Sequence, residues 1–215
     1  MIREMTAAIF DLDGVIVDTA KYHYLAWKRL ANDLGFDFTE SDNEHLKGVS
    51  RVRSLEILLE IGGLTLDDTA KSRLAARKND WYLDYIRKMD ASEILPGVAQ
   101  YLQGIRTKGV KTALGSASKN APLILDRLGI SSLFDAVVDG NEVNKAKPDP
   151  EVFLRAATLL DVPPAKCVVF EDAEAGIEAA HRAGMTAVGV GKPVNLKEAE
   201  IVIPGLFVLI TISAC

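Results

Sequence analysis

The chain has 215 residues, enough to bury a substantial core in one domain or one and a half. Its 25 basic and 30 acidic side chains leave a formal charge of -5 and a pI near 5.3. That balance argues against nucleic acid or a polyanionic surface as partner, because either would want a basic stripe; a phosphorylated ligand would have to be held by local cations.

Met1 to Thr6 carries Arg3 and Glu4, so no apolar leader is expected there. Thr6-Ala7-Ala8-Ile9-Phe10 is apolar enough to predict a buried strand, and it ends abruptly in Asp11-Leu12-Asp13-Gly14. Side chains of extended backbone alternate, so Asp11 and Asp13 should emerge on the same side at the strand's end. Two such carboxylates repel unless a cation sits between them or one takes a proton, which implies a metal, an acid/base role, or both.

From about Thr19 to Met89 the pattern is almost wholly helical, predicting an insert in an otherwise alternating β/α chain. Thr19 is a possible N-cap for a helix carrying Tyr22, Leu25, Ala26, Leu30 and Leu34 and stopping at Gly35. A break at Leu46-Lys47-Gly48-Val49-Ser50-Arg51 precedes helices over about Ser54 to Glu60 and Leu66 to Lys88, with the exit near Asp90 to Pro96. The expected division is an alternating β/α core of residues 1–17 and 91–215 and a helical insert, or cap, of residues 18–90.

After Pro96 the alternation becomes regular. Helices are predicted at Val98 to Lys108, Asn120 to Leu128, Pro150 to Leu160 and Ala173 to Ala183, and strands at Lys111 to Leu114, Ala136 to Val138, Cys167 to Phe170 and Thr186 to Val190. Strands joined by single helices run parallel, giving an α/β doubly wound sheet whose ligands collect at the carboxyl ends of the strands. Cys167, within an apolar strand, and Cys215, far from it, suggest a reducing compartment, hence a cytoplasmic protein. The apolar tail from Leu206 to Cys215 reads as β-like. It is too short for the roughly 20 residues of a membrane span, and burial against the core or in an oligomer contact is expected for it.

The groups following the predicted strands are Asp11 and Asp13, then Gly115-Ser116-Ala117-Ser118-Lys119-Asn120, then Asp139-Gly140-Asn141-Glu142, then Glu171-Asp172. Ser116 supplies a hydroxyl, and Ser118-Lys119-Asn120 opens a helix whose N–H groups and dipole suit a phosphate. Lys147 can add a point charge, and Glu171, Asp172 and Asp11 with a backbone carbonyl could hold Mg2+. These parts fit phosphoryl transfer, with Asp11 as the better shielded nucleophile and Asp13 as general acid/base, offering a metal only its backbone carbonyl.

Asp11-Leu12-Asp13-Gly14-Val15, Gly115-Ser116-Ala117-Ser118, Lys147-Pro148 and Glu171-Asp172-Ala173-Glu174-Ala175-Gly176-Ile177 together resemble the four motifs of the haloacid dehalogenase superfamily. The resemblance implies a Rossmann-like core, an Asp nucleophile, a second Asp as acid/base, and Mg2+. The insert is similar, more narrowly, to that of the β-phosphoglucomutases, in Asp18-Thr19-Ala20, Tyr22-His23, Ala26-Trp27-Lys28, Leu46 to Arg51, Ala76 to Asp80 and Ser116 to Asn120. That likeness implies a small-molecule sugar phosphate as substrate and a monomeric enzyme. It implies Arg51 on the distal phosphate and His23 assisting Asp13. Ser116, Asn120, Lys78 and His23 position the sugar, and Trp27, Lys47, Gly48, Val49, Ser50, Ala117 and Ser118 complete the binding set. The implied reaction interconverts β-glucose 1-phosphate and glucose 6-phosphate through the 1,6-bisphosphate.

Each feature also has a plainer reading. Asp13-Gly14 could simply turn the chain, and Glu171-Asp172 could cap a helix. Lys145 and Lys147 could be solvated, His23 and Trp27 ordinary packing, and Arg77-Lys78 an exposed face. The same core with water as acceptor would be a phosphatase, and a non-catalytic phosphoacceptor module could also use an acidic strand-end cluster with a lysine.

Overall fold

The computed structural model describes residues 5–46 and 49–212. The chain divides into two compact units, Met1–Asp18 with Asp90–Cys215, and Thr19–Met89.

The first unit is built on six parallel strands: β1 (Ala7–Phe10), β2 (Lys111–Gly115), β3 (Ala136–Val138), β4 (Cys167–Glu171), β5 (Thr186–Val190) and β6 (Ile201–Ile203), in the order β3-β2-β1-β4-β5-β6. Helices α5 (Val98–Arg106), α6 (Ala121–Leu128), α7 (Glu151–Leu160), α8 (Glu174–Arg182) and α9 (Phe207–Ile212) accompany them. β1 lies between β2 and β4, with Phe10 in register with Leu114 on one side and Phe170 on the other. The period-two alternation sends Ala7 and Ile9 to one face of the sheet, where they join Phe153 of α7 and Ile177 of α8 in one buried cluster. Phe10 goes to the other face, where it stacks on Phe170 at 4.8 Å and meets Tyr101 and Phe134 edge-on.

The chain leaves and re-enters this unit side by side. Val17 bridges Ile94, and the Leu95 N–H donates to the Ile16 carbonyl at 3.0 Å. An insertion between two paired segments leaves the parallel sheet undisturbed.

The second unit comprises α1 (Ala20–Asp33), α2 (Glu40–Glu44), α3 (Arg51–Ile61) and α4 (Asp68–Ile86). Trp27, Leu30, Phe38, Leu55, Leu58 and Leu74 form its core. Ser50 and Asp67 cap α3 and α4, and Thr39 with Asp42 makes a reciprocal capping box at α2. The periodicity did not reveal α2, because Glu40-Ser41-Asp42-Asn43-Glu44 has no apolar face. Thr19 is the residue before α1, but its backbone is already helical and its side chain makes no capping hydrogen bond.

The tail is a second correction. Residues 207–212 form a helix, not a β-like segment. Ile201–Ile203 supplies the edge strand, and Pro204-Gly205 ends it. The following turn then buries Leu206 and Leu209, three residues apart, as helical spacing requires. Packing of α9 on α5 overrides the local β preference, and a Cβ on Gly97 would lie 2.4 Å from the Phe207 Cα. Ser213 to Cys215 lie outside the described residues. Cys167 is a buried free thiol, pushed up to about 11 by burial. Among the described residues no helix is long and apolar enough to cross a membrane.

Candidate functional site

β1 carries Asp11 to the carboxyl edge of the sheet by continuing its ladder one step, the Asp11 N–H donating to the Phe170 carbonyl at 2.9 Å. β4 ends in Glu171, buried beside it, with Asp172 next. β2 delivers Gly115 and Ser116, and the segment before α7 contributes Lys147, whose peptide bond to Pro148 is cis. Lys147 Nζ is the centre of this edge. It donates to Asp11 Oδ1 at 2.5 Å, Glu171 Oε2 at 2.8 Å and the Gly115 carbonyl at 3.1 Å. The other Glu171 oxygen accepts from the Asp172 and Ala173 N–H groups, each at 3.2 Å.

Two glycines permit this crowding. Gly14 has φ +79°, and a Cβ there would lie 2.0 Å from Asp172 Oδ2; a Cβ on Gly176 would lie 2.0 Å from Glu171 Cδ. Neither position admits a side chain without displacing a carboxylate.

The electrostatics are unbalanced. Burial alone would lower Lys147, but Asp11 and Glu171 override it and raise the ammonium above its ordinary range. Burial, reinforced by Asp11, pushes Glu171 up against the pull of Lys147. Burial and the charges of Asp11, Glu171 and Asp13 push Asp172 up to about 8. One ammonium therefore serves too many carboxylates. Oxygens of Asp11, Glu171 and Asp172 lie within 4.8 Å of one another and could hold a metal ion. An all-oxygen, anionic set of this kind suits a hard divalent cation such as Mg2+. The Asp13 carboxyl is not in that set; Asp13 acts on it through its charge on Asp172.

Ser116 to Asn120 form a tight loop before α6. Ser116, 1 % exposed, accepts from the Ser118 N–H at 3.0 Å, and the Ser118 hydroxyl accepts from the Asn120 N–H at 3.3 Å. Among the described residues no acceptor takes the Ala117 N–H. The Ser116 O–H and the Ala117 N–H, near the Lys147 ammonium bonded to Gly115, are donors suited to phosphate oxygens. Asn120 stands at the N-cap position of α6 without capping it.

In the helical unit, Lys78 is 2 % exposed and its ammonium lies 2.7 Å from His23 Nδ1. It sits over the Trp27 ring at 4.4 Å and the Tyr82 ring at 5.0 Å, and His23 stacks on Tyr82 at 4.1 Å. Burial, then the charges of Lys78 and Arg51, hold His23 well below the usual imidazole range, so Nδ1 is neutral and accepts. Arg51, on the first turn of α3, is half-buried, and burial lowers its guanidinium. Tyr82 was not apparent in the sequence, although its spacing of four from Lys78 puts both on one face of α4. Ser50 is occupied in capping α3, and Val49 is exposed. Lys47 and Gly48 lie outside the described residues.

The profile of the haloacid dehalogenase-like hydrolases matches residues 5–184. The chain belongs to this family. Among haloacid dehalogenase-like relatives, a β-phosphoglucomutase from Bacillus subtilis is 48 % identical over 93 % of this chain and 89 % of its own length. A fructose-1-phosphate phosphatase from Escherichia coli is 36 % identical over 88 % of this chain and 98 % of its own. The crystal structure of a β-phosphoglucomutase from Clostridium difficile superposes with a TM-score of 0.90 at 44 % identity, covering 95 % of this chain and 93 % of that one. Within such a family the strand-end carboxylates, the serine loop and the lysine make phosphotransfer or hydrolysis the chemistry to consider.

Proposed function

We propose that this protein is a β-phosphoglucomutase, interconverting β-D-glucose 1-phosphate and glucose 6-phosphate through β-glucose 1,6-bisphosphate. In this reading an Asp11 carboxylate oxygen attacks phosphorus in line, the bond to the leaving oxygen breaks, and an aspartyl phosphate forms. Asp13 gives a proton to the leaving oxygen and, in the second half, takes one from the accepting sugar hydroxyl. Lys147, the Ser116 hydroxyl and the Ala117 N–H hold the non-bridging oxygens of the transferring group. Mg2+, bound through Asp11, Glu171, Asp172 and the Asp13 carbonyl, would neutralise charge on the phosphate. A cytoplasmic monomer belongs to the same proposal.

The observation that carries the mutase reading is the buried His23–Lys78 pair of the helical unit with Arg51 close enough to act on it. Lys78 and Arg51 are cations of the helical unit suited to charge-assisted hydrogen bonds with a phosphate, and a bisphosphate brings a second phosphate that hydrolysis of a monoester does not require. Arg51 and Lys78 are its proposed partners.

The likeness to sugar-phosphate phosphatases favours a second reading, transfer to water. Supplying β-glucose 1-phosphate, Mg2+ and a trace of the 1,6-bisphosphate separates the two. Glucose 6-phosphate is the expected product, and release of free phosphate without it would establish the phosphatase. Asp11→Asn abolishes both turnover and labelling of the enzyme by the bisphosphate. Arg51→Ala lowers transfer from the bisphosphate by more than about tenfold while hydrolysis of a small phosphate ester changes little; equal losses would remove Arg51 from the distal phosphate.

A further inference from the structure

The turn after β3 is tied to the loop after β2 in a way that neither the carboxylates nor Lys147 require. Asp139 is buried, and its carboxylate accepts from the Asn141 N–H at 2.6 Å and from Asn141 Nδ2 at 3.3 Å. The same Asn141 Nδ2 donates to the Lys119 carbonyl at 3.0 Å. The Gly140 N–H donates to the Ser118 carbonyl at 3.3 Å, and a Cβ on Gly140 would lie 2.2 Å from the Ala117 carbonyl oxygen. Three consecutive carbonyls of the loop, at 117, 118 and 119, are thus turned to Gly140 and Asn141.

A planar trans peptide points its C=O and the following N–H in opposite directions. Holding those carbonyls on one side aims the N–H groups of Ser118, Lys119 and Asn120 to the other. The Ser118 N–H is then spent on Ser116 Oγ. That bond occupies an acceptor position of the hydroxyl and leaves its O–H to donate elsewhere.

We propose that the Asp139-Gly140-Asn141 turn is a positioning element for phosphoryl transfer: it fixes the Ser116–Asn120 loop so that the Ser116 hydroxyl is aimed at the transferring group. Gly140 and Asn141 are positioning residues acting through Ser116, and Asp139 orients Asn141. The inference rests on the reading of Ser116 as a phosphate ligand, and it holds for a mutase or a phosphatase, since both transfer the same group.

The test compares Gly140→Ala and Asn141→Ala with wild type in Mg2+, using both the mutase assay and hydrolysis of p-nitrophenyl phosphate. A displacement of about 1 Å in a positioned group costs on the order of a hundredfold in rate, so Gly140→Ala is expected to lower kcat about ten- to a hundredfold and Asn141→Ala about tenfold. KM should stay within about threefold, because the lost interaction belongs to the transition state. Rates are taken per folded molecule from thermal unfolding, and Asn141→Ala carries the test if Gly140→Ala does not fold. An active wild type with kcat unchanged in Asn141→Ala, or with the loss confined to KM, overturns the inference alone. A wild type inert toward both substrates overturns the phosphotransfer reading and this inference with it.

Discussion

Glu171 and Asp172 make the site sensitive to pH in a direction opposite to that of most carboxylates. Burial and neighbouring negative charge raise Glu171 from 4.5 to about 7 and Asp172 from 3.8 to about 8. The folded protein therefore binds more protons than the unfolded chain between those limits. Stability from these groups is complete below the unfolded values and lost as pH rises through the folded ones. The metal-free protein is expected to gain more in melting temperature from Mg2+ at about pH 8 than at about pH 5, because the cation relieves repulsion that protons relieve at low pH. Equal gains at both pH values would separate the metal from this cluster. In Gly14→Ala the gain should vanish at either pH, since the added Cβ takes the place of the Asp172 carboxylate and the positive φ adds about 1–3 kcal/mol of strain.

At the scale of elements, β2 and β3 are joined at their amino ends by Asp135. Its carboxylate accepts from the Thr112 N–H at 2.8 Å and from Arg106 at 2.7 Å, while Thr112 Oγ1 also donates to the Leu133 carbonyl. Although burial works against it, these hydrogen bonds hold Asp135 below its ordinary value. Its contribution is present above the unfolded carboxylate value of about 3.9 and is lost as pH falls through the lower folded one. Asp135→Asn should cost about 1 kcal/mol near neutral pH in urea unfolding, the ion pair being partly screened by solvent, with the difference from wild type shrinking toward about pH 3. A difference that stays constant across that range would assign the loss to shape and not to charge. Spacing cannot show this clamp, since Arg106 and Asp135 lie 29 positions apart and only the sheet sets their helix and loop together.

At the scale of the whole molecule, the sheet leaves one edge to β6, and α9 packs on α5. Ending the chain after Gly205 removes the buried Leu206 and Leu209, worth roughly 3–6 kcal/mol of apolar burial. A lower melting temperature and a smaller soluble fraction on expression are expected. Unchanged values for both would make the tail dispensable. The insert, by contrast, was plain in the sequence, because a helical run of some seventy residues between strand-like segments has no place in a regular β/α alternation.

What the sequence determined by itself is local. Apolar runs such as Ala7–Phe10 and Cys167 to Phe170 specify buried strands, and a charge that follows such a run must sit at the strand's end, where it can reach solvent or a ligand. Asp11, Ser116 and Glu171 could therefore be read as edge residues from their neighbours alone. Tertiary structure decided which distant groups meet. The strand order brings Lys147 onto Asp11 across 136 positions, and α1 against α4 brings His23 onto Lys78 across 55. It also decided that residues 207–212 coil instead of extending. Periodicity assigns a face to each side chain, but only packing supplies what that face touches, and burial and charge at those contacts set the chemistry.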